Sequence, residues 1–192
     1  MRLHKNSKRQ GDVPLTISGP PCGGSTTVAR LLANRLSRPL IEAGPRYRQE
    51  AITRGLPQEE TWSIEPNRLK EIDEEMLNSV RINPRVVWEG RLTGWFARWL
   101  DNAIRIWCSA PFPVRAARYA AREGVDVDTA SQRIQIREAS DRDLFARLYG
   151  PNCNIEDLRN YDVIVSTEQK SPSAIVQGLL DDLRQVNNNP GP

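Results

Sequence analysis

Residues 15–27 read LTISGPPCGGSTT, and this stretch decides the fold. Leu15, Thr16, Ile17 and Ser18 form a short apolar, β-branched and small run, the composition of a buried strand. Gly19-Pro20-Pro21-Cys22-Gly23-Gly24 then interrupts every regular periodicity. Ser25-Thr26-Thr27 opens a helical stretch in which Val28, Leu31, Leu32 and Leu36 share one face. A strand, a glycine-rich turn and a helix N-terminus together suit a bound phosphate. Glycine lets backbone N–H groups converge on anionic oxygens, and the helix dipole adds partial positive charge behind them. Gly19 to Gly24 fit G-x-x-x-x-G-K-[ST] up to the lysine, where Ser25 stands instead. Thr26 occupies the place of a magnesium-ligating hydroxyl. Lys5, Lys8, Lys70 and Lys170 are the only lysines, so positive charge on a bound phosphate must come from arginine. An ordinary glycine turn has the same spacing, and the stretch alone leaves catalysis open.

A chain of 192 residues predicts one domain with a sizeable core. Its net charge of only +3 gives no reason to expect nucleic acid or a membrane as partner. No apolar run approaches the ~20 residues that span a bilayer. Residues 1–12 are basic and polar without the apolar centre of a signal peptide, and are expected to form a flexible leader. Cys22, Cys108 and Cys153 are odd in number and scattered, which argues against a disulfide framework or zinc site and suits a cytoplasmic protein. The single histidine, His4, lies in the leader, which disfavours histidine-based triads and histidine-zinc chemistry.

Further strands are expected at 39–44, at Val86-Val87-Trp88, at 103–108 and at 161–166. Helices are expected from Pro45, with proline in the first turn, to Arg54. Others are expected from Pro66 to about Val80, from Val114 to Glu123, from about Asp128 to Tyr149, and from Ser171-Pro172 to about Val186. The stretch 93–100 reads as short helix or irregular structure, and 187–192 as a flexible tail. Strands alternating with helices predict an α/β domain over 13–186, a five-stranded parallel sheet covered on both faces. Ligands of such sheets gather beyond the carboxyl ends of the strands. That rule brings the loop 19–26, Gly44 to Arg48, Glu89-Gly90-Arg91 and the residues after Cys108 over one crevice.

From Leu15 to Ile175 the chain resembles the cytidylate kinases, particularly the archaeal-type branch of that nucleoside monophosphate kinase family. The matches run in order: ISGPPCGGSTTVA; Ala43-Gly44-x-x-Tyr47-Arg48; Val86-Val87-Trp88-Glu89-Gly90-Arg91-Leu92-x-Gly94-Trp95; and Ile106-Trp107-x-x-Ala110-Pro111. Arg115, Arg118 and Arg122-Glu123-Gly124 fit the family's lid helix. Arg137-Glu138-x-Ser140, Leu148-Tyr149-Gly150 and Tyr161-Asp162 to Thr167 follow. That branch commonly carries a hydroxylic residue in place of the loop lysine.

The resemblance implies a P-loop NTPase three-layer sandwich with an acceptor-binding part at about 45–82 and a helical lid at about 113–148. It implies ATP-dependent, magnesium-assisted phosphoryl transfer to CMP or dCMP, with small nucleotides as partners and a monomer or weak dimer. Gly19, Pro20, Pro21, Cys22, Gly23, Gly24, Ser25, Thr26 and Thr27 would cradle ATP, with Thr26 on the metal and Arg118 against the donor base. Arg48 and Arg91 would grip the acceptor phosphate, in a site shared with Gly44, Tyr47, Asp73, Glu89, Gly90 and Trp95. Arg122 and Arg137 would reach the transferring phosphoryl group, and Asp141 would position acceptor and lid.

The chain departs from the family at Glu74 and Glu75, where two arginines are usual, at Leu144, another arginine position, and at Cys22 in place of a loop glycine. An acidic patch at 71–75 would repel a nucleotide. A kinase acting on another small acceptor, or a weakly catalytic nucleotide-binding protein, therefore stays open. Glu89 reads as a helix-cap partner, an arginine orienter or part of a magnesium shell, with the orienter favoured. Asp141 also fits an i,i+4 pair with Arg137. Trp88 and Trp107 read as core plugs.

Overall fold

Strand β1 (Leu15–Ser18) has neighbours on both edges and helices on both faces, which explains why none of its four residues is charged. The computed structural model describes residues 13–57 and 60–188; the expected leader and residues 189–192 of the expected tail lie outside them. After β1 come α1 (Ser25–Leu36), β2 (Leu40–Glu42), α2 (Ala43–Thr53), α3 (Pro66–Ile82) and β3 (Val87–Glu89). Then follow α4 (Thr93–Phe96), β4 (Ile104–Ser109), α5 (Phe112–Glu123), α6 (Val127–Tyr149), β5 (Val163–Ser166) and α7 (Pro172–Asn188). The strands lie in the order β2-β3-β1-β4-β5, and every pair is parallel.

The two faces of the sheet make two cores. On one, Leu15, Ile17, Val87, Ile106 and Val163 pack against Val28 and Leu32 of α1 and Val176 and Leu179 of α7. On the other, Trp88 is fully buried among Ile72, Val80, Phe145 and Leu148, with its ring stacked 6.1 Å from Phe96. Trp88 and Trp107 are thus core residues, as the sequence suggests. Because the register sets Ile17 beside both Glu89 and Ile106, all five strands end at one edge of the sheet.

Two boundaries differ from expectation. Helix α2 begins at Ala43 rather than Pro45, since extended Glu42 passes straight into the helix without a turn. Pro45 still falls in the first helical turn, where its missing N–H leaves no bond unmade. Helix α7 runs on to Asn188, so 187–188 are helical rather than tail.

One carboxylate joins three helices. Tyr47 of α2 and Tyr149 of α6 both donate their hydroxyls to Asp73 of α3, one to each oxygen. Asp73 is only 2% exposed and meets no cation there. Burial pushes its carboxyl up to about 6, against the opposing pull of the two hydroxyls. A raised folded value means the protonated form is favoured by folding, so this group's stabilisation is present at low pH and fades as pH climbs through about 6. The unfolding free energy of the native protein relative to Asp73→Asn is therefore expected to fall by about 3 kcal/mol between pH 4 and 7. Urea midpoints across that range measure it, and a pH-independent difference would refute it.

Candidate active site

The loop 19–24 is held from behind by its carbonyls. Arg115 of α5 donates to Pro21 O and Ala110 O, and pairs with Glu138 of α6 at 2.6 Å. Arg118, one turn on, donates to Thr167 Oγ1 at 3.0 Å, Thr167 O at 2.5 Å and Cys22 O at 3.4 Å. Thr167, just past β5, donates in turn to Gly23 O at 2.8 Å. With these carbonyls so occupied, no side chain caps the first amides of α1. Gly24 has φ of +90°, a conformation that costs a residue with a Cβ about 1 kcal/mol or more. Cys22 adopts φ of +59° itself, so the family's glycine at this place answers a backbone demand that cysteine meets with strain.

Sequence reasoning left Arg115 and Thr167 out of the candidate site. Arg115 lies on an exposed-looking, arginine-rich helix, yet it is 8% exposed. The available signal was its place at the start of α5, directly beyond β4, where the sheet edge meets the loop.

Glu89 ends β3 with its carboxylate turned toward the start of α1. Ser25 Oγ and Thr26 Oγ1 both donate to its Oε1, at 2.8 and 3.1 Å. Among the described residues no arginine is bonded to it, so the orienter reading gives way to a carboxylate shared with the loop hydroxyls. The cause is register: Glu89 sits opposite Ile17, two residues before the loop begins. Burial, at 8% exposure, raises its pKa, and the two hydroxyls partly offset that rise.

Arg91 follows two residues on. Its Nε, Nη1 and Nη2 are all shielded from solvent, and none makes a hydrogen bond among the described residues. Asp141 Oδ2 stands 3.5 Å from Nη2 and is itself without a hydrogen bond. Burial pulls the Arg91 pKa down, Asp141 raises it, and Arg137 is near enough to lower it further. Asp141 therefore faces Arg91 across the cleft instead of pairing with Arg137 along its own helix.

Arg48 folds back over the start of α2, where a Cβ on Gly44 would come within 3.2 Å of its Nη1. Gly90 meets the same segment, and a Cβ there would lie 2.7 Å from Ala43 Cβ. Arg122 is exposed, pairs with Glu123 and lies close enough to feel the Cys22 thiol. Arg122 thus lies by the loop and Arg137 by Arg91, while Arg48 lies over Gly44, all three from exposed positions on helices.

Three expectations need correction. Asp73 is sealed by Tyr47 and Tyr149 and cannot meet an acceptor directly. Trp95 is buried, with Arg98 stacked 3.2 Å from its ring centroid and Trp99 against it, so it offers no free face for a ligand. The acidic patch is partly neutralised: Glu75 pairs with Arg46 and Arg68, and Glu71 with Arg68, while the charge of Glu74 is felt at Tyr149. Arg68 also holds Glu50, whose carboxyl is drawn down to about 2 by Arg68 and then Arg54.

The fold is shared with small-molecule kinases. A gluconokinase from Sinorhizobium meliloti superposes with a TM-score of 0.61 at 15% identity, covering 94% of this chain and 97% of that one. A shikimate kinase from Bacteroides thetaiotaomicron gives 0.58 at 17% identity, covering 90% and 98%. Sequence similarity is much closer elsewhere. A cytidylate kinase of Pyrococcus furiosus is 37% identical over 183 residues, 92% of this chain and 93% of that protein. One from Archaeoglobus fulgidus is 33% identical over 169 residues, 86% and 92% of the two chains. The model of the cytidylate kinase-like family matches residues 47–169, spanning Arg48, Glu89, Arg91, Arg118 and Asp141. The chain belongs to the cytidylate kinase-like family.

Proposed function

We propose that the protein transfers the γ-phosphoryl group of ATP to CMP or dCMP, yielding ADP and the nucleoside diphosphate. The observation that carries this reading is Arg91: a guanidinium buried without a hydrogen-bond partner is costly unless an anion completes it. A phosphate monoester supplies the paired oxygens that a guanidinium fork matches. Relatives named cytidylate kinase, similar over nine-tenths of the chain, support the acceptor.

In this reading the amides of the loop and of α1 receive the donor phosphates. Arg48 and Arg91 hold the acceptor phosphate at the far side of Gly90. Arg122 and Arg137 approach from the lid at 113–148, closing over the transferring group and excluding water that would otherwise hydrolyse ATP. Arg118 stays on the donor side, against the base. Phosphoryl transfer asks for alignment and charge neutralisation rather than a strong base. The absence of a loop lysine is therefore met by arginines arriving from four other segments.

The residues fit a magnesium ion. Among the described residues no three His, Cys, Asp or Glu side chains gather into a protein-only metal site. Thr26, Ser25 and Glu89 instead offer the few hard oxygens that magnesium takes alongside phosphate and water. Thr26 and Glu89 would hold the ion, which neutralises charge on the donor phosphates.

Arg91→Met is expected to lower CMP-dependent ADP formation by on the order of 10³-fold, the loss of paired charge-assisted bonds. The same change leaves the Asp141 carboxylate without the cation it faces, so thermal unfolding should shift downward, whereas Arg91→Lys should keep the melting temperature and still lose the paired bonds. An active variant would sink the proposal. Glu89→Gln is expected to raise the magnesium concentration needed for half-maximal turnover about tenfold while CMP affinity holds. A magnesium titration by coupled ADP assay reads both, and an unchanged requirement would remove Glu89 from the metal's surroundings.

A further inference from the structure

The buried stripe of α6 is apolar at both ends and acidic in the middle. Ala130 and Ile134 fill its first part, and Leu144, Phe145 and Leu148 its last. Helical spacing from Ile134 to Phe145 passes through 138 and 141, where Glu138 and Asp141 stand in place of apolar side chains. A carboxylate so placed needs a partner, and each has an arginine. Glu138 Oε1 accepts from Arg115 Nη1 at 2.6 Å, and Asp141 faces Arg91 at 3.5 Å. Arg115 holds the loop 19–24, whereas Arg91 is the proposed anchor of the acceptor.

Arg115 is the joint. Its Nη1 also donates to Pro21 O at 3.3 Å and its Nε to Ala110 O at 3.2 Å, so one guanidinium bonds both the loop and α6. Arg118 grips the loop as well, but its bonds go to Cys22 and Thr167 and, among the described residues, none reaches α6. Glu138 also stands within electrostatic reach of Arg91. Burial pulls the Arg91 pKa down, and Asp141, Glu138 and Glu156 act against it while Arg137 adds to it. A continuous path thus runs from Pro21 through Arg115 and Glu138 to the next turn of α6, Asp141 and Arg91.

We propose that Glu138 is a positioning residue: acting through Arg115, it ties α6 to the loop 19–24 and lets the loop's ligand order the residues around Arg91. The assignment rests on the proposed function and adds to it how each nucleotide is felt at the other's site. Phosphates bound to the loop amides fix the loop backbone, and with it Pro21 O and Arg115. The short charge-assisted bond to Glu138 hands that order to α6. Asp141, one turn on, and Arg137, the residue before Glu138, are then held beside Arg91 before an acceptor arrives. Less ordering is left for the acceptor to bring about, so it binds more tightly. The effect is mutual, because the coupling between two ligands is the same whichever binds first.

Hydrogen exchange and calorimetry with a non-hydrolysable ATP analogue and magnesium test this path. The native protein, Glu138→Gln and Glu138→Ala are compared, with melting temperature and CMP turnover measured for each. In the native protein the analogue alone is expected to slow amide exchange over residues 137–149 about tenfold. In Glu138→Ala that slowing should vanish, although the analogue still binds within about threefold of its native affinity. The analogue should also tighten CMP about tenfold in the native protein and leave it unchanged in Glu138→Ala. Glu138→Gln keeps an acceptor for Arg115 without the charge, and its CMP tightening should fall to about threefold. A merely structural role would lower the melting temperature and weaken both ligands alike, with the native slowing and tightening kept in Glu138→Gln. That result overturns the inference, and so does a native protein that phosphorylates CMP but shows no slowing when the analogue binds. Slowing that depends on Glu138 in a protein that neither binds nor phosphorylates CMP would sink the proposed function and keep the path from loop to α6. A native protein that binds no analogue would sink both.

Discussion

A cation shut away from water with nothing to bond is among the least affordable arrangements in a folded chain, and Arg91 is one. Its cost explains much of what surrounds it. Asp141 is brought up from α6 to within 3.5 Å, close enough to lessen the penalty but not to occupy the hydrogen-bonding fork. Gly90 leaves no side chain at the turn, so Ala43 of α2 can close against β3. The aromatic core of Trp88, Phe96 and Tyr149 stiffens the wall behind. In the proposed reaction an anion would complete that fork, and a site so arranged beforehand lowers a barrier made chiefly of charge.

The phosphate loop shows a second division of labour. Arg115 and Arg118 do not lie free on a solvated helix face; they grip the carbonyls of Pro21 and Cys22, while Thr167 takes that of Gly23. These carbonyl oxygens each take a donor, and no side chain competes for the first amides of α1. Two arginines and a threonine from distant segments thereby fix the loop's polarity. Where Ser25 replaces the usual lysine, its hydroxyl turns to Glu89.

The sheet was legible because its signals are local: short β-branched runs, glycine or proline breaks, and helical periodicity between them. Leu15–Ser18 and Ser25–Leu36 emerge where the sequence puts them. The start of α2 was not legible, since Pro45 is equally at home as the first or the third helical residue. The gathering of the loop, Glu89 and Arg91 at one edge followed from strand alternation alone. Which partner each side chain takes did not. Glu89 chose hydroxyls over an arginine because of a register between β1 and β3. Asp73 and Trp95, which motif position puts at the ligand, are sealed by Tyr47, Tyr149 and Arg98 from outside their own elements.

The departures from the family pattern are related by structure. Glu75, where an arginine is usual, is paired with Arg46 across α2 and α3 and with Arg68 beside it. The sign reversal at Glu75 is thus absorbed at the surface. Leu144 joins the core beside Phe145 and Leu148, and the polar residues of α6 are left to the adjoining face around Trp62. Both changes fall in the half of the protein that would hold the acceptor. The half built from Pro21, Arg115, Arg118 and Thr167 is bonded carbonyl by carbonyl, and a substitution there would free a loop oxygen toward the phosphates. On the acceptor side the pairing of Glu75 with Arg46 and Arg68 takes up a reversed charge at the surface, so a change there leaves the bonds of the donor loop intact.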